Sequence, residues 1–184
     1  MSKGTLTSQV AHLLHEEFNP KGFDVLHDHR QTEVDSPDML GKLRSWFGPD
    51  RKNGTGLADL DIAIVSHDEK EIYALVEVEE TTDTPKVILG DVLAILLGSG
   101  IVFLGEGNLK VGNWTTLIVM VSDKNQTHCA RLAFLADQIN ILKKNLTTPN
   151  ASIGLIIIDS FTNQEDLEKK LRDHILAAVS QRGS

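Results

Sequence analysis

Apolar residues recur along the chain with two different periods, and the switches between them mark out the elements. Leu6, Val10, Leu13, Leu14 and Phe18 fall at helical spacing, and Asn19-Pro20-Lys21-Gly22 supplies the stop for a helix over residues 5–18. Residues 23–27 read as a short strand. Residues 28–56 lose the pattern, with Pro37, Pro49 and glycines at 41, 48, 54 and 56, and read as irregular. Two strands follow over 60–65 and 72–79, joined by the polar segment 66–71. After a break at 81–85, residues 86–97 read as a buried helix. An apolar strand over 114–121 precedes an amphipathic helix over 127–144, striped by Leu132, Leu135, Ile139 and Leu142. A buried strand over 153–158 and a helix over 165–179, charged on one face, close the pattern.

The order α-β-β-β-α-β-α-β-α opens antiparallel and continues with alternating crossover units. It predicts an α/β fold, a mixed central sheet flanked by helices. No linker, low-complexity tract or repeat interrupts it, so residues 1–184 read as a single domain.

Chemistry enters through the alternation within the two central strands. Over 59–65 one face carries Leu60, Ile62 and Ile64, and the other Asp59, Asp61, Ala63 and Val65. Over 72–79 one face carries Ile72, Ala74, Val76 and Val78, and the other Tyr73, Leu75, Glu77 and Glu79. Paired as a hairpin, one register sets Asp61 opposite Glu77 and Asp59 opposite Glu79, with opposed Cβ atoms about 4.5–5.5 Å apart. A slip of one residue turns the carboxylates of one strand to the wrong face. Four carboxylates crowded at the end of a half-buried sheet repel one another and resist desolvation. Protonation, basic partners or a hard cation would each offset that cost. An oxygen-only donor set suits Mg²⁺ or Mn²⁺, with waters completing an octahedron. The plainer reading is an exposed acidic sheet end.

The charge balance sharpens the choice. Lys and Arg number 18 against 26 Asp and Glu, a net −8, which argues against a broad polyanion-binding surface. Aromatic residues are 5% of the chain, too few for rows of base-stacking platforms. The excess is local, however. Residues 57–91 hold 10 acidic and 2 basic side chains, whereas 1–56 hold 8 and 7, and 92–184 hold 8 and 9. The net charge thus belongs to the acidic strands and their surroundings, where a cation is wanted, and does not count against DNA as a partner.

At these residues the sequence resembles the PD-(D/E)XK nuclease superfamily, the restriction-endonuclease-like fold. Gly56-Leu57-Ala58-Asp59-Leu60-Asp61 stands where that family carries its Pro-Asp segment, and Val76-Glu77-Val78-Glu79 stands for the Glu-x-Lys or Glu-x-Glu half of the motif. The tail Glu79-Glu80-Thr81-Thr82 is similar to the Lys-Thr ending of archaeal junction resolvases in the family. The resemblance spans residues 5–121 and implies an αβββαβ core, here with C-terminal additions. There are two departures. Glu79 replaces the usual Lys, and Gln9 or His12 falls where the family often has an acid on its first helix.

What the resemblance implies is Mg²⁺- or Mn²⁺-dependent hydrolysis of DNA phosphodiesters. Asp59 or Asp61, with Glu77 and the Val78 carbonyl, would ligate the metal; Glu79 would orient the attacking water or bind a second cation. Lys86 stands to contact the phosphate in place of the motif lysine. The basic, aromatic segment around Lys42, Arg44, Trp46, Arg51 and Lys52 is the candidate DNA-contacting element. Double-stranded or branched DNA and a homodimer cutting both strands are the implied partners. A non-catalytic scaffold of the same fold, and an unrelated α/β domain with a structural cation, stay open as alternatives.

Other signals are set aside. Cys129 is the single cysteine, which excludes an internal disulfide and a cysteine-rich zinc site. His27 and His29 alternate on a strand without an evident third ligand. Ser160 and Cys129 lack a nucleophile elbow. With no signal-peptide pattern and no apolar run of membrane-spanning length, a cytoplasmic protein without membrane contact is expected.

Overall fold

The computed structural model describes residues 5–27, 42–48, 55–80, 85–103, 107–123 and 129–180. Helix α1 (Thr5–Phe18) leads into β1 (Phe23–His27), followed by β2 (Leu43–Trp46), β3 (Gly56–Leu60), β4 (Ile62–Ser66) and β5 (Ile72–Glu79). Then come α2 (Pro85–Leu96), β6 (Gly100–Phe103), β7 (Gly107–Leu109), β8 (Thr116–Ser122), α3 (Cys129–Leu142), β9 (Leu155–Phe161) and α4 (Gln164–Ser180). The protein is α/β, with a mixed central sheet flanked by helices.

That sheet runs β1-β4-β5-β8-β9. Strands β1, β4 and β5 pair antiparallel, while β5, β8 and β9 are parallel. The parallel pairs are those joined through helices, since a parallel neighbour requires a crossover. Gly22, at φ 91°, takes the left-handed turn that a side chain would disfavour and lets α1 hand over to β1.

Helices α1 and α4 cover one sheet face. Val10, Leu14, Phe18, Leu167, Leu171 and Ile175 pack there with Ile62, Ile64, Ala74, Val76 and Ile118. Each such fully buried aliphatic or aromatic side chain contributes about 1.5–3 kcal/mol. Against the other face, Ala63, Val65, Leu75, Leu117 and Val119 meet α2 through Ile88, Val92 and Ile95, and α3 through Leu132 and Ile139. The outer edge of β9 is occupied by Asn140. Its side-chain amide donates to the Ile156 carbonyl at 2.7 Å and accepts from the Ile156 N–H at 3.1 Å, satisfying both edge-facing backbone groups of that residue.

A second sheet, β3-β2-β6-β7, departs from the sequence expectation. Strand β2 lies in the stretch 28–56 read as irregular, β3 runs from its end into the expected strand over 60–65, and β6 and β7 fall between the helix expected over 86–97 and the strand expected over 114–121. Leu43, Leu60, Ile101 and Phe103 turn inward from it onto the same core as α2 and α3. The expected strand over 60–65 divides at Asp61, where the chain leaves the second sheet as β3 and enters the central sheet as β4. Alternation carries through that crossing unbroken, so the pattern reports the faces correctly and conceals the change of neighbour. Among the described residues no helix is long and apolar enough to cross a membrane.

Candidate functional site

A cleft of about 310 Å³ opens between the central sheet, the second sheet and α2, lined by Leu57, Ala58, Asp59, Glu77, Glu79, Val87 and Asp91. Strand β5 makes its floor. Val76 and Val78 point to the α1/α4 core, so strand alternation sends Glu77 and Glu79 to the opposite side. Glu80, the next residue, faces away from Glu79. Its Oε1 accepts from the Thr7 N–H at 3.4 Å and the Thr7 hydroxyl at 3.3 Å, placing a carboxylate at the first turn of α1, where the helix dipole favours it.

Glu77 lines the cleft and is 9% exposed. Ile62 pairs with Val76, so the next step along both strands brings Asp61 to Glu77, and their carboxyl groups share a hydrogen bond. Asp61 is fixed in turn by the Val78 N–H, which donates to its Oδ2 at 2.7 Å. Burial pushes the Glu77 carboxyl well above its ordinary pKa, and the charges of Asp61, Glu79 and Asp91 push it further the same way.

Asp59 has different company. In the second sheet it stands opposite Arg44 in register. Arg44 donates to it from Nε and from Nη2, the latter at 2.8 Å, and Lys42 Nζ lies 4.0 Å from its Oδ2. The hydrogen bond from Arg44 holds the Asp59 carboxyl below its usual range; partial burial opposes this, and the charges of Arg44 and Lys42 reinforce it. The register expected from sequence, with Asp59 opposite Glu79, does not form, because Asp59 lies in the other sheet.

The remaining candidates are placed as follows. Lys86 is exposed on the first turn of α2 and is not among the residues lining the cleft. Val78 contributes its backbone N–H to Asp61, while its side chain is buried against the α1/α4 core. Lys42 and Arg44 flank the cleft through Asp59. Arg51 and Lys52 lie outside the described residues, as does His29; His27 is buried in β1 opposite Ile62. Asp91 is the residue that sequence reasoning missed. It is the only acid in the sequence of α2, four residues after Val87, and a lone carboxylate in so apolar a helix was the available signal.

Among the described residues, no group of three or more His, Cys, Asp or Glu side chains is arranged to hold a metal ion. A Mg²⁺ ion asks for less, since it keeps several waters and is commonly held by one or two carboxylates together with substrate phosphates. Asp61 and Glu77, two carboxyl oxygen donors in contact with each other, fit that requirement. Comparison with known proteins finds no matching family model, no matching curated protein and no matching solved structure.

Proposed function

We propose that the protein is a metal-dependent DNA endonuclease of the PD-(D/E)XK type, with Asp61 and Glu77 holding a Mg²⁺ or Mn²⁺ ion. One observation carries the reading. Glu77 is buried at the ends of paired strands among acids that raise its pKa, and a cleft leads to it. Nothing apolar is gained by placing a carboxylate there, and perturbed acids in a cleft mark functional sites. The sheet order supports the same family, with an antiparallel β1-β4-β5 run followed by parallel β8.

In this reading the bound cation supplies Lewis-acid polarisation of the phosphate and a more acidic water. The chain's own residues do the rest. Asp61, oriented by the Val78 N–H, and Glu77 would be the residues that hold the ion. Glu79 and Asp91 complete the acidic lining, where a carboxylate accepts a proton from the attacking water. Neutralising this cluster also removes the repulsion that would otherwise keep a phosphate out. A cytoplasmic setting, in keeping with the single cysteine, and a homodimer acting on double-stranded or branched DNA belong to the same proposal.

The rival is a non-catalytic module of the same fold, and one observation favours it: among the described residues, no lysine lines the cleft. Plasmid and short branched DNAs incubated with and without Mg²⁺ or Mn²⁺, beside Glu77→Ala, separate the two. Metal-dependent cleavage abolished by the substitution supports the enzyme. DNA binding without cleavage under any metal supports the module.

A further inference from the structure

Helices α1 and α4 are neighbours on the central sheet and leave a groove of about 620 Å³ between them. Its floor is apolar, made by Val10, Leu13 and Leu14 of α1 with Leu176 of α4, and Leu13 is 44% exposed. Its rim is acidic, since Glu17, Glu165, Glu168 and Asp173 stand against Lys169 and Arg172. Arg172 is paired with Glu17, its Nε 3.0 Å from Oε2 and 3.2 Å from Oε1. With that pair offset, three acids remain on the rim against one lysine.

The other side of the sheet carries a matching shape. Helix α3 buries Leu132, Ala136 and Ile139 in the core and turns Phe134 and Ile141 outward, 65% and 57% exposed. Seven residues apart, these two lie on one helix face, about 10.5 Å along the axis. Leu142, 42% exposed, widens the ridge. The charged side chains exposed along α3 and the turn after it are Arg131, Asp137 and Lys144, a positive balance. Large apolar side chains exposed in line and rimmed by charge mark an interaction surface.

We propose that the α3 ridge of one copy of the chain docks in the α1/α4 groove of another, so that the protein assembles head to tail. Phe134 and Ile141 meet the apolar floor as a helix laid in a groove, and Arg131 and Lys144 meet the acidic rim. Helices α1 and α4 cover one sheet face and α3 the other, so no copy fills its own groove. The contact joins two different surfaces. It therefore leaves an open groove at one end and a bare ridge at the other, and assembly continues past two chains. None of these side chains lines the acidic cleft, so the proposal stands apart from the reading of that site.

Sedimentation equilibrium of the full chain over a concentration series tests it. The weight-average mass of the wild type is expected to climb past that of two chains. Phe134→Asp spoils the ridge and Leu13→Asp puts a charge on the groove floor. Each alone is expected to stay a single chain at every concentration. Mixed in equal amounts they are expected to form pairs and stop there, because Phe134→Asp keeps its groove and Leu13→Asp keeps its ridge. A wild type that stays one chain up to about 1 mM leaves groove and ridge to other partners and overturns the proposal. So does a mass that levels off at two chains, assembly that survives either substitution, or a mixture that does not pair. Circular dichroism verifies each fold. If Leu13→Asp does not fold, Glu165→Lys on the exposed rim takes its place and is expected to weaken self-association roughly fivefold, with no weakening counting against the proposal.

Discussion

The two walls of the cleft carry carboxylates of the same kind in opposite electrostatic states. On the β2–β3 wall Asp59 is gripped by Arg44 with Lys42 nearby, and its pKa is lowered. On the central-sheet wall Glu77 is buried among Asp61, Glu79 and Asp91, and its pKa is raised. The difference lies in which sheet each residue joined, and the chain changes sheets between Asp59 and Asp61. An acid that finds cations on its own wall is settled as an anion. An acid crowded by other acids keeps a proton until a stronger positive charge arrives. Pairs of groups driven apart in this way are how one site comes to divide its roles.

The largest effect expected from this contrast is on cleavage. Under the proposed function, Glu77→Ala is expected to lower turnover by at least ~1,000-fold, since several kcal/mol of transition-state stabilisation would depend on the cation it would hold. Asp59→Ala is expected to leave kcat nearly intact, because the Asp59 carboxylate is paired with Arg44 and lies in the other sheet from Glu77. Steady-state kinetics on a labelled duplex check both, and a kcat collapse in Asp59→Ala would put both carboxylates on one wall after all.

Next in size is the thermal response to metal. At a Mn²⁺ concentration a hundredfold above its dissociation constant, the folded state gains about 2.7 kcal/mol. For a chain of this size each kcal/mol is worth roughly 2–4 °C in melting temperature. The rise is expected in the wild type and in Asp59→Ala, and is expected to be absent in Glu77→Gln and Asp61→Asn. Differential scanning fluorimetry with a metal titration reads it directly.

How far the sequence foretold this contrast can be traced residue by residue. The central sheet was legible because β5, β8 and β9 are apolar and bounded by turn residues, and α1 and α4 carry clear helical stripes. The acidic end of β5 was legible for the same reason, since Glu77 and Glu79 interrupt an apolar face. The second sheet was not. Leu43–Trp46 is four residues with an arginine in the middle, and Gly100–Phe103 follows glycines that signal a turn, so neither is long enough to show a period. Such strands are specified by what they pack against, here the core around Leu60 and Ile101. That hidden sheet is why the pairing of Asp59 with Arg44 could not be read. Alternation says which way a side chain points, and says nothing about which strand will lie beside it. Asp91 shows the converse, a signal present in the sequence that gains meaning once α2 is seen to close the cleft.

A smaller effect is expected in the pH dependence of stability without metal. Glu77 has a raised folded-state pKa, so the folded protein binds more protons than the unfolded chain between the ordinary carboxylate pKa and the raised one. Its contribution to stability therefore falls as pH climbs through that window. Glu77→Gln is expected to flatten the decline and to be the more stable protein at neutral pH, because its amide donates to Asp61 without needing a proton. Chemical denaturation midpoints at acidic and neutral pH measure the slope. A wild type whose stability increases through this window, with Glu77→Gln showing the same slope, would mean that the cluster is compensated by cations as Asp59 is.

The smallest effect is expected at Asp59, with the opposite sign. Its folded-state pKa is lowered, so its stabilising contribution is present above the unfolded pKa and fades as pH falls through the folded one. The Asp59 side chain is 44% exposed and that of Arg44 17%, so solvent screens the pair, and its removal is expected to cost less than ~1 kcal/mol. A double-mutant cycle of Asp59→Ala with Arg44→Ala, read by denaturation at neutral and acidic pH, isolates that coupling. A coupling far above this bound would make the pair a structural clamp for β2 and β3, and the sheet pairing would then depend on it. A small coupling leaves the β2–β3 pairing to Leu43 and Leu60 in the core beneath.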